Sequence, residues 1–205
     1  MISLTDTVLE SNKYLKINFN GGDLSSDAGL LLIKEFACKL GFINILKKVF
    51  KTNDRASFRY HKDDENLWQV IYQILGACFE DDCADELTND SILTAILSKE
   101  ALASQPTLSR FFNRMDESTL NQFYDLMRRF RKVVYSVRHP NMILLDLNFT
   151  LLNTYGYQEG EGFNFHYRDH GYHPLGYYDG ITGDLLKIEL RNETDYSSTD
   201  VMDFL

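Results

Sequence analysis

The stretch ILLDLNFTLL, Ile143 to Leu152, decides the fold because it sets one acid, Asp146, in the middle of an apolar run. An apolar run of this length, followed by a turn signal at Tyr155-Gly156, is typical of a buried β-strand. A buried carboxylate without a partner is costly, so it is normally paired, protonated or bound to a metal ion. Side chains alternate along a strand, which puts Asn148 on the same face as Asp146. The sequence therefore predicts a polar site on one face of this strand.

Three segments after His139-Pro140 predict an antiparallel meander. They are aromatic, β-branched and punctuated by glycine, and they cover Ile143 to Phe149, the region near Phe165 to Tyr178, and Leu185 to Leu190. The stretch DGITGD, Asp179 to Asp184, is a hairpin-type turn signal between the last two. A sheet this small has little to cover its faces, so we expect an exposed apolar edge and face that favour self-association, with a homodimer as one outcome.

The chain before His139 carries apolar residues at helical spacing, with caps and charges that mark helix ends. A short alternating strand at Tyr14 to Phe19 comes first. Helices are predicted over residues 25–41, 43–50, 63–79, 90–103, 104–115 and 118–137, and a further helix is predicted to begin at Ser197 or Ser198. The first of these helices is expected to have Ser25 or Ser26 as its N-cap. The sequence thus predicts an α+β protein. Its parts are a lead-in over residues 1–23, a helical region over 24–139 and an incomplete strand domain over 140–205.

Charge is unevenly placed along the chain. The formal net charge is −9 with a pI near 5.0, which excludes a protein that simply coats nucleic acid. Residues 51–103 hold five Lys or Arg against eleven Asp or Glu, whereas residues 104–140 hold seven against three. A nucleic-acid surface is therefore expected in the second segment.

Two groups of side chains in residues 104–140 are candidate DNA contacts. The first group would reach phosphates from a recognition helix in SQPTLSRFF: Thr107, Ser109 and Arg110. The alternative is an ordinary capped helix that packs its apolar residues, Leu108, Phe111 and Phe112. The second group is a basic run near the end of the next helix: Arg128, Arg129, Arg131 and Lys132. The alternative is a solvated basic turn, which suits the dipole at a helix C-terminus.

The cysteines and the amino terminus indicate a cellular location. The three cysteines are odd in number and form no CxxC pair, so a disulfide framework or structural zinc site is not expected and a reducing compartment is the natural interpretation. The first residues lack a basic and apolar signal peptide, and no apolar run reaches the length of a membrane span. We therefore expect a soluble cytoplasmic protein, associated with the nucleoid when it is bound to DNA.

Four separated motifs carry a resemblance to a known family. They are LSSDAGLLLIKEF, LASQPTLSRF, the long stretch from Leu144 to Asp184, and ELRNETDYSS. Together they resemble the bacterial DDE transposases of the insertion-sequence group called thirteen-eighty, from about Leu24 to Leu205. The resemblance implies a helical amino-terminal region followed by an RNase H-like domain whose first three strands are antiparallel neighbours. It also implies binding to insertion-sequence terminal repeats and magnesium-dependent DNA cleavage and strand transfer.

The same resemblance points to Asp146 as a catalytic, metal-binding acid. The first catalytic strand in this family typically reads Leu-Asp-hydrophobic-Asp-Ser-Thr, and Asn148 here stands at the usually acidic second position. Related transposases place their first catalytic acid just before a small-Thr pair, which points to Asn148 rather than Asp146, so both residues stay candidates for that position. The other acids of the triad would lie beyond Leu205. One carboxylate cannot hold two metal ions, so magnesium is not expected to bind tightly.

The chain is therefore expected to be a truncated DDE transposase that is inactive alone. Two alternatives stay open. One is a stand-alone DNA-binding or regulatory module that competes for transposon ends. The other is a subunit completed by a separate chain that supplies the missing acids.

Overall fold

The computed structural model describes residues 7–19, 21, 25, 27–80 and 82–190. The chain divides into two compact units, Met1–Val133 and Val134–Leu205. Helices dominate the first unit and antiparallel strands the second, so the predicted α+β class is confirmed. The domain boundaries at residues 23 and 139 stay predictions, and the helix predicted at Ser197 or Ser198 lies outside the described residues.

The first unit begins with a short antiparallel strand pair, and helices follow. The strands are β1 (Thr7–Val8) and β2 (Lys16–Ile17). The helices are α1 (Gly29–Lys39), α2 (Phe42–Val49), α3 (Asp63–Leu75), α4 (Cys83–Glu86), α5 (Ser91–Leu97), α6 (Gln105–Phe112) and α7 (Glu117–Val137), whose last turn lies in the second unit. Between the helices predicted over residues 63–79 and 90–103, the acidic stretch near residue 83 contains a further short helix, α4. None of the described helices is long and apolar enough to cross a membrane.

Helix α3 shows why these residues form a helix. Its first turn carries three acids, Asp63, Asp64 and Glu65, which the helix dipole favours, and its apolar residues recur at helical spacing. Its Trp68 and Tyr72 lie in a core shared with α1, α2, α5, α6 and α7. Burial raises the pKa of Tyr72 to about 12. The core of this unit is therefore assembled around α3.

Helix α1 begins later than its sequence predicts. Ser25 was expected to cap it, but Ala28 occupies the N-cap position, and Gly29 is the first helical residue. The Ser25 hydroxyl instead accepts a hydrogen bond from the Asp27 amide at 3.3 Å, which stabilises a turn before the helix. The alternative cap, Ser26, lies outside the described residues.

The described part of the second unit contains two small antiparallel sheets. Its strands are β3 (Leu145–Phe149), β4 (Leu152–Asn153), β5 (Gly162–Asn164), β6 (Asp169–Tyr172), β7 (Leu175–Asp179) and β8 (Leu185–Glu189). One sheet has the order β3-β7-β8 and the other β4-β6-β5. The predicted meander is confirmed in the first sheet, but its middle strand is shorter than expected. The segment near residues 165–178 divides into β6 and β7 around Pro174, because proline cannot donate a ladder hydrogen bond.

Strand β3 is exposed, so the expectation of a buried strand is wrong. Leu145 is 48% exposed and Leu147 is 37% exposed. Among the described residues of the second unit, the buried hydrophobic core consists of Leu175 and Tyr177, with Phe149 packed against it. Asp146 is exposed too, so it needs no buried partner to offset the cost of desolvation.

Candidate functional site

Asp146 and Asn148 lie on one exposed face of β3. In the ladder with β7, Asp146 pairs with Tyr178 and Asn148 pairs with Gly176. Residues that pair directly in an antiparallel ladder point to the same side of the sheet. The face therefore carries a carboxylate, an amide and a phenol, and the predicted shared face of Asp146 and Asn148 agrees with this register.

The Tyr178 ring lies over Gly176, beside the position of Asn148. A Cβ added to Gly176 would lie 2.6 Å from Tyr178 Cε2 and 3.0 Å from its hydroxyl oxygen. Real Cβ atoms do not approach other atoms so closely, so glycine is required for this ring position. Tyr178 thus covers the sheet at one end of the polar face and places its hydroxyl group there.

Asp179 fixes the turn next to this face but does not belong to it. It pairs with Leu145 and therefore points to the opposite side from Asp146. Its carboxylate is fully buried and accepts a hydrogen bond from the Ile181 amide at 3.0 Å. This backbone hydrogen bond holds the pKa of Asp179 below its usual range. The Gly180 amide in turn donates to the Leu144 carbonyl at 2.7 Å, which ties the hairpin to the start of β3.

The polar face of β3 does not provide a two-metal site from the described residues. No group of three or more His, Cys, Asp or Glu side chains that could hold a metal ion occurs in the part of the chain that the structure describes. Asp146 supplies one carboxylate and Asn148 one neutral carbonyl oxygen. Divalent magnesium prefers several hard oxygen ligands, and two ions need more carboxylates than this donor set contains.

Helix α6 buries one side and exposes the other. Leu108 and Phe111 are buried as expected for a packed helix, whereas Phe112 is 42% exposed. Ser109 and Arg110 lie on the exposed side. Thr107 is half-buried, and its hydroxyl lies 3.2 Å from that of Ser104 and accepts a bond from Arg110 Nη2 at 3.3 Å. Of the three candidate DNA contacts here, Ser109 and Arg110 are the accessible ones.

Three polar anchors hold α6 in place. Gln69 Nε2 donates to the Ala103 carbonyl and its Oε1 accepts from the Ala103 amide, both at 2.8 Å, in a buried pairing just before the helix. The Asp85 carboxylate accepts from the Gln105 amide at 2.9 Å. After the helix, Arg114 Nη2 donates to Asp63 at 3.0 Å. These hydrogen bonds fix both ends of α6 and thereby hold its exposed face in one orientation on the helical unit.

The basic run on α7 is partly neutralised within the helix. Arg128 and Arg129 bond to the two oxygens of Asp125 at 2.6 and 2.7 Å. These hydrogen bonds lower the pKa of Asp125. Lys132 is exposed and Arg131 is half-buried. The four residues are accessible to different degrees, and two of them share one counter-charge.

Sequence reasoning missed several residues that shape these surfaces. Tyr178 is opposite Asp146 only because of the β3–β7 register, for which no local signal exists. Asp85 lies in an acidic stretch that gave no sign of a bond to the start of α6. Asp125 was detectable, since an acid three and four residues before two arginines is a helix pairing pattern.

Comparison with known families shows which protein family the chain belongs to. The family model described as transposase DDE domain group 1 matches residues 8–205. The chain therefore belongs to this family of transposases. Searches of curated proteins and of solved structures gave no match. The family assignment agrees with an α+β chain whose antiparallel strands begin with an acid-bearing strand.

Proposed function

We propose that this chain is a transposase of the insertion-sequence group thirteen-eighty that binds terminal-repeat DNA through its helical unit. In this proposal Asp146 is the first catalytic acid, Asn148 stands at a usually acidic position, and the chain does not cut or join DNA alone. The observation that carries it is that Asp146 shares the exposed face of β3 with a neutral Asn148, two residues further along the strand. The protein would act in the cytoplasm, at the nucleoid when bound to DNA.

Magnesium is the expected cofactor of the family chemistry. In a complete site two ions would activate the nucleophile and stabilise the leaving oxygen. The described donors do not fit that pair of ions, so no catalytic step is assigned to them. Asn148→Asp should tighten Mn²⁺ binding, measured by calorimetry or paramagnetic resonance, because a charged oxygen replaces a neutral one. Adding Asp146→Ala should remove the gain; an unchanged Mn²⁺ affinity in Asn148→Asp would argue against a metal position on this face.

The absence of cleavage is tested on a plasmid that carries the DNA flanking the gene. We expect no nicking or joining with magnesium or manganese. Nicking that disappears in Asp146→Ala would overturn the proposal that the chain is inactive alone. Nicking that persists in Asp146→Ala would indicate a contaminating nuclease.

DNA binding is the part of the function that the surface charge supports. Replacing Arg128, Arg129, Arg131 and Lys132 with Ala should weaken binding to all sequences and reduce the salt dependence. We expect the slope to fall by less than about four, because Arg128 and Arg129 already share the charge of Asp125. A matched control removes four exposed lysines elsewhere in the unit: Lys13, Lys16, Lys47 and Lys48. Equal losses in both variants would reduce the effect to net charge.

A stand-alone regulatory role is the second candidate. It is favoured by the accessible Ser109 and Arg110, which need no metal site to bind DNA. The two roles separate in a competition assay in which this chain is added to an active relative on the same DNA ends. Inhibition that is lost in Arg110→Ala would support the regulatory role. A homodimer is also proposed, with the exposed Leu145 and Leu147 in its interface. Analytical ultracentrifugation of the wild type and of Leu147→Ser would test it, because the variant should dimerise less.

A further inference from the structure

The loop between α2 and α3, residues 51–62, has a charge opposite to that of the chain. Its sequence KTNDRASFRYHK holds four Lys or Arg and one acid, Asp54. The acids that make residues 51–103 negative all follow this loop, apart from Asp54. A charge count over the wider window therefore concealed a compact basic segment. The segment also carries two aromatic residues, Phe58 and Tyr60.

Polar contacts at its base fix the shape of this 51–62 loop. The Thr52 amide and hydroxyl donate to Asp63 Oδ2 at 2.8 and 2.7 Å. Arg59 donates twice to Asp54, at 2.7 and 3.0 Å. The Arg59 hydrogen bond holds the pKa of Asp54 well below its usual range, so this carboxylate stays charged and paired. The only acid of the loop is therefore engaged inside it.

Two other side chains of the loop are exposed rather than packed in the core, so they are available to bind a ligand. Arg55 is exposed, and the Phe58 ring is 79% exposed. Within the described part of the chain, neither side chain takes part in a hydrogen bond, ion pair or ring contact. Tyr60 is 53% exposed and already holds Lys99, whose Nζ lies 4.6 Å from the ring centroid. Arg55 and Phe58 are thus a free cation and a free aromatic ring on one anchored loop.

The loop is joined to the candidate DNA-binding helices through two residues. Arg114 lies 3.6 Å from Asp54 and donates to Thr52 Oγ1 at 3.2 Å, and its Nη1 donates to the Arg110 carbonyl at 3.0 Å. Gln122 of α7 makes two hydrogen bonds with the Lys51 backbone, at 2.7 and 3.0 Å. The loop and the ends of α6 and α7 therefore form one supported surface.

We propose that the 51–62 loop is a second DNA contact, with Arg55 on a phosphate and Phe58 stacked on an unpaired base at a DNA end. The proposal rests on the DNA-binding function above and names the part of DNA that this surface takes. A cation with no internal partner gains by releasing counterions from phosphates. An exposed ring stacks on a base only where the base face is uncovered, and base faces are uncovered at unpaired ends.

The test compares two DNA probes of about 30 base pairs, one blunt and one with a few unpaired bases at one end. Arg55→Glu should weaken binding of both probes roughly tenfold and reduce the salt slope by about one. Lys13→Glu makes the same charge change on another exposed turn and should have little effect. Phe58→Ala should weaken binding of the unpaired probe roughly tenfold more than that of the blunt probe, and Phe58→Tyr should retain it. Trp68 fluorescence confirms that each variant is folded.

Two results would overturn the proposal. If Arg55→Glu behaves like Lys13→Glu, the loop is not a phosphate contact. If Phe58→Ala affects both probes equally or neither, the ring does not stack on an unpaired base. In either case the proposed function survives as long as the α7 alanine variant still loses binding. If wild-type protein binds neither probe at low salt, the DNA-binding function fails along with the loop.

Discussion

The helical and strand units treat similar apolar sequences differently. Phe111 of α6 is fully buried, whereas Leu145 and Leu147 of β3 are 48% and 37% exposed. The strand unit buries Asp179 instead, in a turn rather than in a core. A helix satisfies its backbone within itself and has one apolar stripe to bury, whereas a sheet has two faces and needs distant chain to cover each. An apolar run therefore predicts a strand more reliably than it predicts burial.

The largest expected difference between the units is in their sensitivity to a lost aromatic ring. Phe111→Ala should lower the free energy of unfolding of the helical unit by about 3–5 kcal/mol, because it leaves a cavity beside Phe50. Trp68 is the single tryptophan and lies in this core, so its fluorescence in urea reports on this unit. Phe163→Ala, on a ring that is 42% exposed, should cost the strand unit less than about 1 kcal/mol, measured by tyrosine circular dichroism. Equal losses of unfolding free energy would show that the two units depend equally on a single aromatic ring.

Hydrogen exchange measures the same difference without a mutation. Backbone amides of β3 to β8 should exchange about a hundredfold faster than those of the buried helices, which corresponds to roughly 2.7 kcal/mol of opening free energy. The reason is the small core of the strand unit, built on Leu175 and Tyr177. Mass spectrometry on soluble monomer would give both rates in one experiment. Equal protection of the strands would show that exposure of β3 does not weaken its ladder.

Two buried glutamines on α3 test how much their hydrogen bonds contribute to the stability of the helical unit. Gln69→Leu should cost about 1–3 kcal/mol for each Ala103 backbone group that it leaves unpaired. Gln73 is the matched control, since its amide nitrogen is buried without a hydrogen-bond partner in the described structure. Gln73→Leu should be neutral or stabilising, because it removes a desolvated donor. Urea titration followed by Trp68 fluorescence compares the two, and a costlier Gln73→Leu would contradict the assigned bonds.

The smallest expected effect is on the pH dependence of stability, and its sensitivity to salt should differ between the two units. Hydrogen bonds hold the pKa of Asp54 and Asp179 below the usual value of about 3.9, mainly from Arg59 and from the Ile181 amide respectively. Their stabilisation is therefore present above about pH 4 and is lost as the pH falls through the folded pKa. Asp54→Asn should flatten this acid-side loss in the helical unit, and the effect should shrink in salt.

Asp179→Asn is the comparison in the strand unit. Its effect should persist in salt, because a backbone amide and not a cation stabilises the carboxylate. Thermal unfolding from about pH 5 to 2, at low and high ionic strength, checks both variants. Similar salt dependence for the two would show that the environments of the carboxylates are not distinct.

The sequence predicted those elements whose causes are local. The start of α3 follows from its acidic first turn, and the hairpin between β7 and β8 follows from its turn residues. The short strands β4 and β5 were missed, because two and three residues are too few to show an alternating pattern. The position of Tyr178 beside the polar face depends on pairing with β3, about 30 residues away, for which no local pattern exists. The loop at residues 51–62 was missed because a wide charge window averaged it with the acids that follow.

The bond between Asp85 and the start of α6 has a consequence for the DNA contact that we propose for this helix. The N-terminus of a helix is a natural seat for a phosphate, since its amides and its dipole both attract an anion. In α6 the protein's own carboxylate already sits there, on the Gln105 amide. A DNA strand approaching end-on would meet a negative charge, whereas one approaching the flank would meet Ser109 and Arg110. In the proposed complex, α6 would therefore face the DNA with its flank, and Asp85→Asn would remove the negative charge that opposes an end-on approach.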